Sequence, residues 1–313
     1  MAIYKEEHFG ICRKIVASIT SDSWQSIPHA VMSYEADVTG LLAVCKKHNG
    51  SLENGQKRVS LNTVMMYIFC RGLEASPKMN CTLKYNARLV RGTLQYHDEI
   101  NISLPMIFPD GRMMTVNLYD MGGKSLDEMT ELLSEIKQKA ENTDMEQAMY
   151  EVGFNNTIEW LKKGRVVQSL ERLYGSKVGK YRVKNLRGKA KKAYYLIPES
   201  ERLTGHDIEQ GTVTVSNIGS ARRSHSGMCL LLEIIPPQVT AIAVSAVQRR
   251  PVVTVDETGE ERIEIRSIMP ITVAIDHRAL DYGDTVGFYD AVERILKNPE
   301  CIFSENRTKQ FAD

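Results

Sequence analysis

Apolar positions recur along this chain with two different periods. In ICRKIVASIT, Ile11, Ile15 and Ile19 fall on one helical face, and DVTGLLAVCKKHNG repeats that spacing as a short helix closed by Gly50. Between them, SIPHAVMSYEADV reads as a strand. LNTVMMYIFCRGLEASP is a strongly apolar helix, with Asn62 as its expected cap and Pro77 beyond its end. Strand-like stretches follow in CTLKYN, RLVRGTLQYHD, EINISLPMIF and RMMTVNLYDM, the last two joined by a Pro-Asp-Gly turn at 109–111. Ser125-x-x-Glu128 forms a capping box ahead of the amphipathic helix DEMTELLSEIKQKAEN. GTVTVSNIG alternates as a strand does. TAIAVSAVQRRPVVTV and ERIEIRSIMPITVAID predict two long strands joined across DETGEE. A helix near 284–297 precedes a polar tail, ENRTKQFAD.

One stretch breaks the pattern. Between Lys162 and Lys192 the chain carries twelve Lys or Arg and one acidic residue, Glu171, while Val166, Val167, Leu170, Leu173 and Tyr174 give a helical apolar stripe. The formal net charge of the whole chain is only +1, so its electrostatic specialisation is local. With 42% apolar and 25% charged residues in 313, there is enough apolar side chain for a sizeable core. The expected organisation is a single α/β domain over 1–313 with a basic helical insertion at about 147–205.

Cysteines stand at 12, 45, 70, 81, 229 and 301, with no Cys-x-x-Cys pair and no metal-finger spacing to a histidine. Scattered thiols fit a reducing compartment, MAIYKEEHFG lacks the apolar core of a signal peptide, and no apolar run reaches membrane-spanning length. The expectation is a cytoplasmic protein with neither a metal cluster nor a phosphate-binding glycine loop.

Chemistry concentrates in ITVAIDHRALDYGD, 271–284, where a β-branched run ends on Asp276-His277-Arg278 and Asp281 follows. Neutral imidazole, with a reference pKa of about 6.5, can take a proton from a thiol or hydroxyl at physiological pH. Taken alone, His-x-x-x-Asp also fits a buried histidine hydrogen-bonded where a strand ends.

IDHRALD resembles the Asp-His-Arg-x-x-Asp-Gly signature of the dihydrolipoamide acyltransferases, the catalytic cores of 2-oxoacid dehydrogenase complexes. Six further stretches match in the same order: RKIVASITSDSWQSIPH, ADVTGLLAV, LNTVMMYIFCRGLEASPKMN, INISLPMIFPDGRMMTVNLYD, KSLDEMTELLSEIKQKAEN and GTVTVSNIGS. A seventh, AIAVSAVQRRPVV, resembles the family's strand that ends in an Arg-Pro-Val-Val-type tail. Together they cover about 11–145 and 206–300.

The resemblance implies a chloramphenicol acetyltransferase-like two-layer α/β fold, a mixed β-sheet flanked by helices. It also implies transfer of an acyl group between CoA, as substrate, and a second thiol, normally dihydrolipoyl. His277 takes the role of general base and Ser216, in Val215-Ser216-Asn217, that of hydroxyl donor to the oxyanion. Without the resemblance, a strand serine bonded to backbone describes Ser216 equally. Asp281 organises the histidine loop through an arginine, with Arg13 and Arg278 as candidates, and Asp276 is structural. The family's cores are homotrimers in which the histidine of one subunit faces the serine of the next.

Three departures limit what carries over. Tyr282 stands where the signature has glycine, with Gly283 one place later; it narrows the channel, touches the acyl group or packs on a helix. The sequence shows no lipoyl domain, so lipoate is expected on another protein; otherwise the acceptor is a different thiol, an alcohol or an amine. The charged tail after PECIF predicts an isolated trimer. The basic insertion fits a solvated face, a contact for CoA phosphates or an acidic carrier protein, or a basic helix on a membrane surface; nucleic acid is not expected. A non-catalytic trimeric scaffold is the remaining alternative, one that needs neither His277 nor Ser216.

Overall fold

A computed structural model describes residues 3–53, 56–108, 111–162, 164, 166–183, 185–221, 227–256 and 258–303. In chain order the elements are α1 (Ile11–Ser26), β1 (His29–Asp37), α2 (Thr39–Gly50), α3 (Leu61–Ala75), β2 (Cys81–Asn86), β3 (Arg91–Tyr96), β4 (Ile102–Ile107) and β5 (Met113–Leu118). Then come α4 (Leu126–Glu141), α5 (Met145–Lys162), α6 (Val166–Lys177), α7 (Gly188–Leu196), β6 (Val213–Asn217), α8 (Ile218–Ala221), β7 (Thr240–Val244), β8 (Gln248–Val255), β9 (Glu261–Asp276) and α9 (Val286–Lys297). Pro109 and Asp110 of the expected turn, and the polar tail, lie outside the described residues.

The chain separates into two compact units. One comprises Ser23–Pro105, Leu118–Leu133 and Gly211–Asp313. Its sheet runs β1-β9-β7-β6-β4, antiparallel from β1 to β7 and parallel from β7 to β4. The expected mixed α/β sheet is therefore present. β7 and β8 both pair with β9, and between Val244↔Ile271 and Gln248↔Ile268 the β7–β8 side has one residue more than β9. That is a bulge, and it divides the single long strand expected over TAIAVSAVQRRPVVTV. β6, β7 and the last nine residues of β9 are almost wholly buried, which suits their unbroken β-branched and alanine runs.

Helices α2 and α9 pack against this sheet and α3 against α9. The last crossing is close: a Cβ on Gly287 would lie 2.6 Å from the Ala75 carbonyl oxygen, and one on Gly72 would lie 2.5 Å from the Phe288 ring. The α3 cap is Ser60, whose hydroxyl accepts the Thr63 N–H at 3.1 Å. Asn62, expected in that role, sits inside the first turn and accepts from Asn217 Nδ2 at 2.9 Å. At α4 the predicted capping box forms in both directions, at 2.7 and 3.3 Å.

The other unit comprises Met1–Asp22, Met106–Asn117 and Ser134–Gln210, and so contains the basic stretch. There α6 packs on α5 and turns Ser169 inward, while Val166, Val167, Leu170 and Tyr174 are 50 to 70% exposed. Among the described residues no helix is long and apolar enough to cross a membrane.

Candidate active site

β9 delivers its last residue, Asp276, into a position only 1% exposed, opposite His29 of β1. The Asp276 carboxylate accepts from Arg278 Nε at 2.9 Å, from Arg278 Nη2 at 2.6 Å and from the Arg278 backbone N–H at 3.0 Å. Its carbonyl accepts the N–H groups of Ala279 and Leu280, at 2.9 and 3.0 Å. Residues 277–280 are thus a tight turn held by one buried residue, through its carbonyl and its carboxylate. The Arg278 guanidinium also lies 5.3 Å from the Tyr85 ring centroid.

His277 rides on that turn, with its own N–H donated to the Pro28 carbonyl at 3.0 Å. Its ring Nδ1 is 3.0 Å from the Leu280 carbonyl oxygen. A carbonyl only accepts, so in this contact Nδ1 carries the hydrogen, and the neutral ring keeps its lone pair on Nε2. The side chain is 55% exposed, so the ring is reachable. His29 is the contrast. Its Nδ1 faces the Ile27 carbonyl at 2.9 Å and its Nε2 accepts the Ile234 N–H at 3.1 Å, so both nitrogens are spent on backbone.

Asp281 Oδ1 lies 3.4 Å from His277 Nδ1. Arg278, one of the two arginines expected beside it, is clamped on Asp276. Asp281 instead caps the 3-10 turn Tyr282–Thr285, exchanging side-chain and backbone hydrogen bonds with Asp284. Lys78 holds Asp284 at 3.0 Å. The Asp281 N–H and then the Lys78 ammonium keep the Asp284 carboxyl below its ordinary range. Sequence reasoning missed this cap, although Asp-x-x-Asp ahead of an amphipathic helix is its signal.

Ser216 lies near the end of β6, 9% exposed, and its hydroxyl has no hydrogen-bond partner among the described residues. In register it faces Ala243 of β7, which faces Thr272 of β9. His277 is five residues further along β9 and two strands away. At about 3.4 Å per residue and about 4.8 Å per strand, the two are about 20 Å apart. One chain does not bring the hydroxyl and the imidazole together.

Beside His277 is a pocket of about 250 Å³, walled by Val31 and Met32 of β1, Val273 and Ile275 of β9, and Tyr282 and Tyr289. Tyr289 stands edge-on to Tyr34 with ring centroids 5.9 Å apart, and burial pushes the Tyr289 hydroxyl far up, so it stays protonated.

The family model of the 2-oxoacid dehydrogenases acyltransferase (catalytic domain) matches residues 2–155 and 184–304. The chain belongs to that family. This family member leaves 156–183 unmatched between those two blocks, inside the insertion expected at about 147–205. It is 21% identical over 291 residues to the dihydrolipoyllysine-residue acetyltransferase component of the pyruvate dehydrogenase complex of Rickettsia felis, covering 93% of this chain and 53% of that protein. The chain therefore spans about half the length of the curated relatives it matches. Among solved structures, the dihydrolipoamide acetyltransferase of Azotobacter vinelandii superposes with a TM-score of 0.66 at 16% identity, covering 97% of this chain and 95% of that one. The cubic core of the pyruvate dehydrogenase multienzyme complex superposes equally, with the same identity and coverage. Both likenesses establish the shared fold of an acyltransferase core.

Proposed function

We propose that the chain catalyses acyl transfer between coenzyme A and a thiol, the dihydrolipoyl group of a separate lipoyl domain, at a site shared by neighbouring subunits of a homotrimer. The observation that carries this reading is the His277 tautomer. With Nδ1–H held by the Leu280 carbonyl, Nε2 is the free acceptor on an exposed ring.

A thiol near pKa 8.5 is only a few per cent thiolate at neutral pH, so a positioned base helps its attack. Nε2 takes the thiol proton as sulfur adds to the thioester carbonyl. The tetrahedral oxyanion accepts a hydrogen bond from Ser216 of the adjoining subunit. Its collapse breaks the bond to the departing sulfur, which leaves as thiolate and regains the proton from Nε2. Asp281 acts as a positioning residue beside Nδ1. The separation of about 20 Å within one chain supports a site completed by a second copy, since the two groups act together only if they come from different subunits. In the Azotobacter protein a serine, a histidine and an asparagine four places after the histidine have been studied for their part in catalysis. Ser216, His277 and Asp281 follow the same order, with a carboxylate in place of the amide.

The basic stretch supports an anionic partner. Lys189, Lys191 and Lys192 of α7 are exposed, as are the apolar residues on the outward face of α6, and exposed cations of this kind suit an acidic carrier protein. The six cysteines form no disulfide among the described residues, which suits a cytoplasmic setting.

Acyl exchange from acyl-CoA to free dihydrolipoamide tests the reading. His277→Ala abolishes most of the exchange, and Ser216→Ala lowers it by about 10²–10³. A His277→Ala protein with full activity refutes it.

A further inference from the structure

The pocket beside His277 is larger than an acetyl group needs. We infer that it is a subsite for an apolar acyl group of about four to eight carbons, and that Tyr282 sets the length it accepts. This rests on the reading of His277 as the base, since the acyl carbon must then lie against that ring.

Size is the first ground. A cavity of about 150 Å³ lined by aliphatic side chains accommodates benzene, a body of six carbons. The pocket here measures about 250 Å³, so the two carbons of acetyl leave most of it unfilled. Lining chemistry is the second ground. Ala30, Met32, Val273 and Ile275, which share one face of the β1–β9 pair, present hydrocarbon. The Thr285 hydroxyl is spent on the Tyr282 carbonyl at 2.7 Å. No lysine or arginine is among the lining residues, so an acyl group with a second carboxylate finds no counter-charge there.

Tyr282 is the third ground, and it is particular to this chain, standing where the signature resembled by 276–281 continues with glycine. It lines the pocket, its ring centroid is 6.4 Å from that of Tyr289, and it is 58% exposed, so it forms the outer wall and carries little of the core. Glycine there leaves that side without a side chain; tyrosine places an aromatic ring along it.

The test uses the full-length protein with acetyl-, butyryl-, hexanoyl-, octanoyl-, benzoyl- and succinyl-CoA as donors to dihydrolipoamide, and measures kcat/KM for each. Butyryl- or hexanoyl-CoA should exceed both acetyl- and succinyl-CoA by at least about tenfold, the discrimination expected of added methylenes in an apolar pocket. Tyr282→Gly should move the optimum to longer chains, and Tyr282→Phe should leave it in place. An active enzyme whose profile is flat or favours acetyl, or whose optimum ignores Tyr282→Gly, overturns the inference. If no donor is turned over, calorimetric binding decides. Hexanoyl-CoA bound more tightly than acetyl-CoA, with the difference reduced by Tyr282→Gly, keeps the subsite while removing the transfer reaction. Equal binding of the two removes the subsite.

Discussion

Removing the Arg278 side chain isolates the load on the turn that carries His277. Arg278→Ala deletes every guanidinium contact to Asp276 and leaves one backbone N–H on a carboxylate that is 1% exposed. Breaking a buried pair from one side typically costs about 3–5 kcal/mol, because the remaining charge is uncompensated. Urea unfolding of variant and parent at pH 7 measures this, and Asp276→Asn in the Arg278→Ala background should recover part of the loss. Acyl transfer should fall as well, because the Ala279 and Leu280 N–H contacts that aim the ring hang from the same residue. A deficit below about 1 kcal/mol at pH 7, as for an exposed ion pair, refutes the reasoning.

Two further outcomes follow from the same unit. The Asp284 carboxyl is held below its ordinary range in the folded chain by the Asp281 N–H and Lys78, so it contributes stability that is complete above the unfolded value of about 3.9 and lost as pH falls through the lower, folded value. Asp284→Asn should flatten the acid limb of a thermal-stability profile below about pH 4; an unchanged limb counts against this cap. Gly287→Ala forces a Cβ to within 2.6 Å of the Ala75 carbonyl oxygen and should cost about 1–3 kcal/mol, read as a lower Tm. An unaltered Tm means that α3 and α9 separate without strain.

Much of the fold was legible because period and punctuation agree locally. Ser125 and Glu128 promised a capping box and form one, and the β-branched run before Asp276 became a buried strand. Misses came where two local options competed or where distance in sequence decided. Ser60 and Asn62 both suit an N-cap; Ser60 takes the role because its hydroxyl reaches Thr63, which frees Asn62 for Asn217, 155 residues away. The β7–β8 bulge was passed over, although the adjacent apolar residues Ala246 and Val247 break the alternation there. Arg278 was as plausible a partner for Asp281 as for Asp276 until backbone geometry set them on one turn. The outward α6 stripe shows the limit of periodicity: it locates an apolar face without saying which way that face points.

Mixing two inactive variants examines the shared site most directly. His277→Ala and Ser216→Ala subunits, denatured together in equal amounts and refolded, assort at random. In a closed trimer a site is intact only when the first variant supplies the serine and the second the histidine, which happens at about one quarter of interfaces. Recovery of about a quarter of parent activity is the predicted result. No recovery, from mixtures shown by mass to contain both subunits, would mean that imidazole and hydroxyl do not meet across subunits.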